Sequence, residues 1–429
     1  MSAISIKSQV KKMTSVIAII GNILSHYNKH LYVFLIPFIC PLFFPSESRI
    51  NSLLLGWMTI PLGMLARPFG GYFFGKIGDG KGRETALSIA LFGISFCTLA
   101  MIFLPTYNTI GILAPMFLIL TRMGYNFFSA GSTSGSFVTV LGKASKSTLG
   151  LWSGIHTSSS VIGILVACFS VNLLALFGDV ETSWRALYVL GLVAVVIGYY
   201  FKKVQSQDKP AKMAEQRLSF SELINSYKRP LIMVIAVYAY SRIMYEFSIG
   251  FLNGYIPIIS NAPQKTVTSF DTAILLMDVF LLPVFGLLAD KIGTKKIMQF
   301  AILGIMFLVP IALTLIPHVP FAAILGIKST IALLAMLFTV PSIVWAFRSA
   351  PPSCRFSIIA LGSALGTQIG GVSSALCLYL YKLTSWPLAP AFFTTVVSLC
   401  IFVLVKRYSS VNAPAAQVNV PAISNNNAN

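Results

Sequence analysis

The sequence predicts an all-α membrane protein of twelve transmembrane helices in two pseudo-symmetric six-helix bundles, and three observations predict it. Of 429 residues 56% are hydrophobic and 10% charged, where a soluble chain carries about 25% charged residues. Apolar runs of roughly twenty residues, the length that crosses a bilayer, recur along the whole chain. Finally, Gly75-Lys76-Ile77-Gly78-Asp79-Gly80-Lys81-Gly82-Arg83 returns in the second half as Gly286-Leu287-Leu288-Ala289-Asp290-Lys291-Ile292-Gly293-Thr294-Lys295-Lys296. Both copies set Gly, Asp and Gly at i, i+4 and i+7, after an apolar run. A chain that repeats this across its halves reads as a duplication, and in membrane proteins that places a solute site between the repeats.

The runs follow in order. A basic start leads into the first, 14–35, which carries the polar Ser25-His26-Tyr27-Asn28-Lys29-His30 and lacks a small-residue cleavage site, so it reads as a retained span and not a signal peptide. The second, 53–75, is interrupted at Ile60-Pro61-Leu62-Gly63 and ends at the first loop copy. The third is 85–104. The fourth, 110–141, is rich in small residues, and the fifth, 147–176, opens on the serine-rich Ser153-Gly154-Ile155-His156-Thr157-Ser158-Ser159-Ser160. The sixth is 185–202. A basic, polar stretch, 202–229, with an amphipathic piece at 218–227, reads as a cytoplasmic linker, too short to bury a core of its own. Then come 230–257, 268–289 with its Leu282-Pro283 break, 297–316, 319–342, 354–381 and 387–405. The breaks require freed backbone groups to be satisfied by neighbouring helices or a wet cavity. Period-2 alternation is absent, which excludes a barrel. The division is therefore a bundle at 1–201, the linker at 202–229, a bundle at 230–408 and a polar, low-complexity, disordered tail at 409–429.

The net charge of +19 resembles a nucleic-acid signal until it is sorted by position. Only Arg49, Arg185, Lys265 and Lys382 fall between spans on the outer side, and most of the 31 Lys and Arg lie on the other. The positive-inside rule then sets both termini in the cytoplasm of a multi-pass inner-membrane protein, and no nucleic-acid partner is expected. Six cysteines without CxxC spacing read as apolar fillers, with no metal site. No Gly-Lys pair is followed by Ser or Thr in a phosphate-loop context, and no nucleophile, base and acid constellation stands outside the spans. The chain is not expected to be an enzyme or to hold a cofactor.

The paired loops resemble the signature loop of the major facilitator superfamily. Arg67-Pro68-Phe69-Gly70-Gly71-Tyr72-Phe73-Phe74-Gly75, together with Gly21-Asn22-Ile23-Leu24, Tyr27, Tyr32 and Pro41-Leu42-Phe43-Phe44-Pro45, resembles its metabolite:proton symporter branch, which includes proline/betaine, 2-oxoglutarate, citrate and shikimate permeases. The resemblance implies a monomeric permease working by alternating access with proton symport. It also implies that Gly75, Asp79, Gly82, Arg83, Gly286, Asp290, Gly293 and Lys295 form conformational gating loops, their carboxylates meeting helix N-termini and basic partners. The chain departs from the branch at three carboxylate positions. Ser25 and Asn28 stand where the first span usually has Glu and Asp, and Ser132 stands where the fourth has Glu. Gly80 and Glu84 also stand where basic residues are usual.

The charges inside the spans are unbalanced: Lys29, Arg67, Arg122, Arg242 and Lys328 against Glu246 and Asp278. Each costs about 2.5–3.5 kcal/mol at a helix centre unless paired or hydrated. Cations facing a central cavity favour an anionic or zwitterionic solute, whose carboxylate supplies the missing partner. Arg122, mid-span among small residues, is the preferred anion-binding residue. Arg67, Lys29, His30, His156 and Arg242 are further solute-binding candidates, with Arg67 alternatively an anchor for its loop. Arg242 and Glu246, four apart, form either an internal salt bridge or a coupling pair. Asp278, with no cation adjacent in sequence, is a proton-carrying candidate alongside Glu246 and His26, the histidine as a stand-in for the lost carboxylates. Lys328 reads as a snorkelling side chain. His26 and His30 lack a third ligand for zinc. The function expected is secondary transport of a small solute with a proton or other ion. The alternatives are an uncoupled facilitator or exchanger and, from another class, a non-transporting sensor or scaffold.

Overall fold

The structure, a computed structural model, describes residues 3–46, 49–207, 220–260 and 262–408. Among these residues every regular element is helical. The first half holds α1 (Ala3–Phe43), α2 (Arg49–Met64), α3 (Arg67–Gly80), α4 (Arg83–Ile102), a short α5 (Tyr107–Ile110), α6 (Leu113–Lys143), α7 (Leu149–Phe177), α8 (Val180–Gly191) and α9 (Ala194–Gln207). The second holds α10 (Phe220–Tyr245), a π-helical turn (Glu246–Phe251), α11 (Leu252–Ile259), α12 (Gln264–Ile292), α13 (Thr294–Leu315), α14 (Phe321–Ser349), α15 (Arg355–Gly371), α16 (Ser373–Thr384) and α17 (Ala389–Arg407). With α2–α3, α8–α9, α10–α11 and α15–α16 each forming one interrupted rod, these make twelve spans, six to a bundle.

Among the described residues nine rods are long and apolar enough to cross a membrane on composition alone. The exceptions are informative. The first carries the 25–30 polar run, the second is broken at 65–66, and the fourth carries Arg122, Asn126 and a series of buried serines. They belong to the half whose interior is most polar.

At the bundle junction α9 runs to Gln207 and α10 starts at Phe220, so 220–229 is helical and continues into the seventh rod. Tyr227 leaves helical geometry (φ −120°, ψ 22°), three residues before Pro230, whose ring clashes with a carbonyl one turn back. The rest of the expected linker, 208–219, and the tail 409–429 lie outside the described residues.

The two signature loops fold alike. Gly82 (φ 102°, ψ 149°) starts α4 and Gly293 (φ 104°, ψ 135°) starts α13. That conformation is open to glycine and strained for residues with a Cβ, which accounts for the glycine at i+7 in both copies.

Three larger cores divide the interior. One is confined to the first bundle, around Tyr27, Tyr32, Phe43 and Trp184, and one to the second, around Tyr240, Phe247, Phe338 and Trp345. The third joins both bundles near the signature loops, where Phe74 and Phe137 meet Phe347, Phe356 and Ile359. The bundles thus close on each other at the loop end.

Candidate functional site

Closure at the loop end rests on two crossed contacts. The Asp79 carboxylate, from the first bundle, accepts the Phe356 and Ser357 backbone N–H groups at 2.9 and 2.8 Å, at the start of α15. The Asp290 carboxylate, from the second bundle, accepts those of Gly150 and Leu151 at 2.7 and 2.9 Å, at the start of α7. A helix start carries unsatisfied N–H groups and a positive dipole end, so each acidic residue completes a helix of the opposite bundle. Glycine makes the approach possible: a Cβ at Gly75 would meet the Ser357 backbone, and one at Gly150 the Gly286 carbonyl. Arg83 reaches back to the Val138 carbonyl (3.4 Å), and Lys295 donates to the Lys406 carbonyl (3.0 Å).

Two prolines supply further cross-bundle bonds. Pro68 has no N–H for the Met64 carbonyl one turn earlier, and Gln368 from α15 donates to that carbonyl instead. Pro283 likewise frees the Val279 carbonyl, and the Ser158 hydroxyl of α7 takes it at 2.7 Å. Of the two interruptions expected from the sequence, the carbonyl freed at Pro283 is thus filled from the other bundle, whereas α2 runs on through Pro61 and the second rod breaks at 65–66 instead.

Beyond this closure, between the bundles, lies a cavity of about 190 Å³. It is smaller than the ~300–1,000 Å³ of clefts for drug-sized ligands. Lys29, Arg67, Arg242, His26 and His156 line it, together with Phe137, Tyr238 and several hydroxyl side chains. Phe137 stacks edge-on against Phe347 of the second bundle (6.1 Å) and against His156 (5.6 Å). Arg67 is buried and its Nε has no partner. Lys29 forms no ion pair among the described residues. Arg242 is paired with Glu246, while its Nε is unpartnered. Glu246 opens the π-helical turn, an irregularity that recurs at functional sites.

The histidines are held differently. His26 has no partner for either ring nitrogen and stacks on His30 at 5.9 Å. His30 donates its Nδ1–H to the His26 carbonyl (2.9 Å) and does not line the cavity. His156 is fixed through Nε2, 2.8 Å from the Ser136 hydroxyl. Asn22, the family-like position of the first span, donates to Ser159 and Ser160 at 2.9 and 2.8 Å, which locks the serine-rich turn of α7 onto α1.

Three charged residues lie apart from the cavity wall. Arg122, on α6, sits 4.1 Å from the Tyr32 ring centre and 4.7 Å from that of Tyr125, buried in the first bundle. Asp278, on α12, is 1% exposed with Oδ1 unpartnered. Lys328 corrects the snorkelling expectation. It is fully buried, 2.5 Å from Asp271, with further bonds to the Asn253 side chain and the Val267 carbonyl (3.2 Å). Three acceptors satisfy the ammonium where it stands, so it does not reach for an interface. Asp271 escaped the sequence reading because it lies near a span end and its partners are on other helices. Tyr238 also escaped, although it precedes Arg242 and Glu246 at the same four-residue spacing, a signal that was present.

A family model described as the Major Facilitator Superfamily matches residues 16–375. A protein of Staphylococcus aureus strain COL that bears the provisional name of proline/betaine transporter is 25% identical over 417 residues, covering 92% of this chain and 87% of its own. The proline/betaine transporter of Escherichia coli strain K12 is 23% identical over 400 residues, 89% of this chain and 80% of its own. In fold, the chain is similar to a bacterial homologue of the iron transporter ferroportin solved in its outward-facing state, with a TM-score of 0.74 at 14% identity over 92% of this chain and 99% of that one.

Proposed function

The chain belongs to the major facilitator superfamily and is a secondary transporter, and from that premise we propose that it carries a small carboxylate-bearing solute, anionic or zwitterionic, by alternating access with proton symport. The observation that carries this reading is the cavity's charge: Lys29 and Arg67 face it without a carboxylate, and Arg242 has only Glu246. A solute carboxylate supplies the absent counter-charge through charge-assisted hydrogen bonds, and Phe137 and Tyr238 offer ring faces to an ammonium group. The similarity to proteins named for proline and betaine favours the zwitterionic form. The distribution of Lys and Arg makes the loop end cytoplasmic and the termini with it. The closed loop end then describes an outward-open protein, with Gly75, Asp79, Gly82 and Arg83 and their counterparts Gly286, Asp290, Gly293 and Lys295 as the gate. Proton coupling falls to Asp278, Glu246 and His26, the carboxylate positions of the first bundle being Ser25, Asn28 and Ser132.

Labelled proline, betaine and dicarboxylates offered to proteoliposomes, with and without an inward proton gradient, test the reading. Gradient-dependent accumulation of a carboxylate is expected. Uptake restricted to uncharged solutes overturns the substrate class. Equilibration regardless of the gradient favours the second reading, an exchanger or facilitator, for which the missing carboxylates speak.

A further inference from the structure

Arg122 is 5% exposed, yet its guanidinium forms no ion pair among the described residues and is held only against the faces of Tyr32 and Tyr125. An uncompensated cation inside a membrane bundle is costly. Tyr32, against which Arg122 lies, shares one stripe of α1 with Ser25 and Asn28, the three standing at i, i+3 and i+7 in the order Ser25, Asn28, Tyr32. The Tyr125 hydroxyl donates to the Ser25 carbonyl, which fixes the register of that stripe beside Arg122. Polar atoms in this region lack partners: the hydroxyls of Ser25 and Tyr188 and the side-chain oxygen of Asn28, on residues 2%, 1% and 1% exposed. Asn28 is packed against Gly191 of α8, the helix that carries Tyr188. Two buried hydroxyls without partners thus lie in the same bundle as a guanidinium that has no protein anion among the described residues.

We propose that Arg122, with the Ser25 and Tyr188 hydroxyls, binds a small inorganic anion of chloride size, which supplies from solution the negative charge that no described side chain supplies. This site lies inside the first bundle and is separate from the solute cavity, so it stands independently of the transport reading. Its occupant neutralises Arg122 and ties α1, α6 and α8 together. The anion acts as a structural counter-ion, and the protein's stability becomes chloride-dependent.

The test is the thermal unfolding midpoint of the purified full chain in detergent, titrated with sodium chloride against sodium gluconate at constant ionic strength. A saturable rise of several degrees with chloride, reproduced by bromide, is expected. Arg122→Gln should abolish the rise, and Arg67→Gln, in the solute cavity, should retain it. Asn28→Asp introduces a fixed carboxylate on the same stripe of α1, so it should raise the midpoint in gluconate and remove the chloride response; it carries the test should Arg122→Gln fail to fold. Equal midpoints in chloride and gluconate overturn the proposal, as does a chloride response that survives Arg122→Gln or Asn28→Asp. An Arg122-dependent shift produced by a carboxylate solute but not by chloride overturns it too, and returns Arg122 to the solute site.

Discussion

Single side chains divide into those satisfied within the protein and those left for a ligand. In the proposed function Arg67, which lines the cavity with its Nε unpartnered, belongs to the second group, and a charge-assisted hydrogen bond is worth about 1.5–3 kcal/mol. Arg67→Gln should therefore raise the KM for a carboxylate solute by about ten- to a hundredfold, measured as initial uptake rates at matched protein density. Asp278, buried with an unpartnered oxygen, should separate coupling from binding. Asp278→Asn is expected to abolish gradient-driven accumulation and to preserve exchange of labelled for unlabelled solute, and accumulation by that variant would remove Asp278 from the proton path. Lys328 belongs to the satisfied group. Removing one member of a buried pair costs about 3–5 kcal/mol, so Lys328→Met should lower the unfolding midpoint markedly, and the double change Lys328→Met with Asp271→Leu should recover much of the loss. Legibility at this scale followed sequence distance. The pairing of Arg242 with Glu246 was readable from a four-residue spacing, whereas that of Lys328 with Asp271 spans two helices and leaves no local pattern. Arg122 was readable as an intramembrane cation, but which way its helix face turned was not.

The helices show where local rules stop and assembly takes over. Pro61 and Pro283 announce breaks in the second and eighth spans, yet α2 runs through Pro61 and the second rod breaks at 65–66, just before Pro68; that Gln368 and Ser158 fill the carbonyls freed at Pro68 and Pro283 from the opposite bundle depends on how the bundles dock. The i+7 glycine of each loop could be read as a tight turn, and its positive φ bears out that local demand. The proposed gate has its own test at this scale. Losing a capping carboxylate costs a helix about 1–2 kcal/mol, so Asp79→Ala should weaken the closed loop end by about five- to thirtyfold. Cys354 is a native reporter: it is 1% exposed and two residues before Phe356, whose amide Asp79 holds. Alkylation of Cys354, followed by peptide mass spectrometry to separate it from the exposed Cys400, should accelerate in Asp79→Ala. An unchanged rate would count against Asp79 as a gate residue.

At the scale of the whole molecule, twelve spans and the internal repeat were readable because apolar length and a recurring loop are properties of the chain itself. The cavity was readable only in its charge, since its walls come from both halves. Each half holds a core of its own, and a third core exists only when the two meet. The crossed carboxylates carry this further, for neither half can finish its own helices: the first provides the cap for α15 and the second the cap for α7. The peptide link between the halves is then not what keeps them together. A chain cut between 208 and 219 and produced as two polypeptides should reassemble in the membrane, the tagged half retrieving the untagged one. By the same reasoning each half is to the other what a subunit is to its partner, and the protein behaves as a heterodimer written into a single gene.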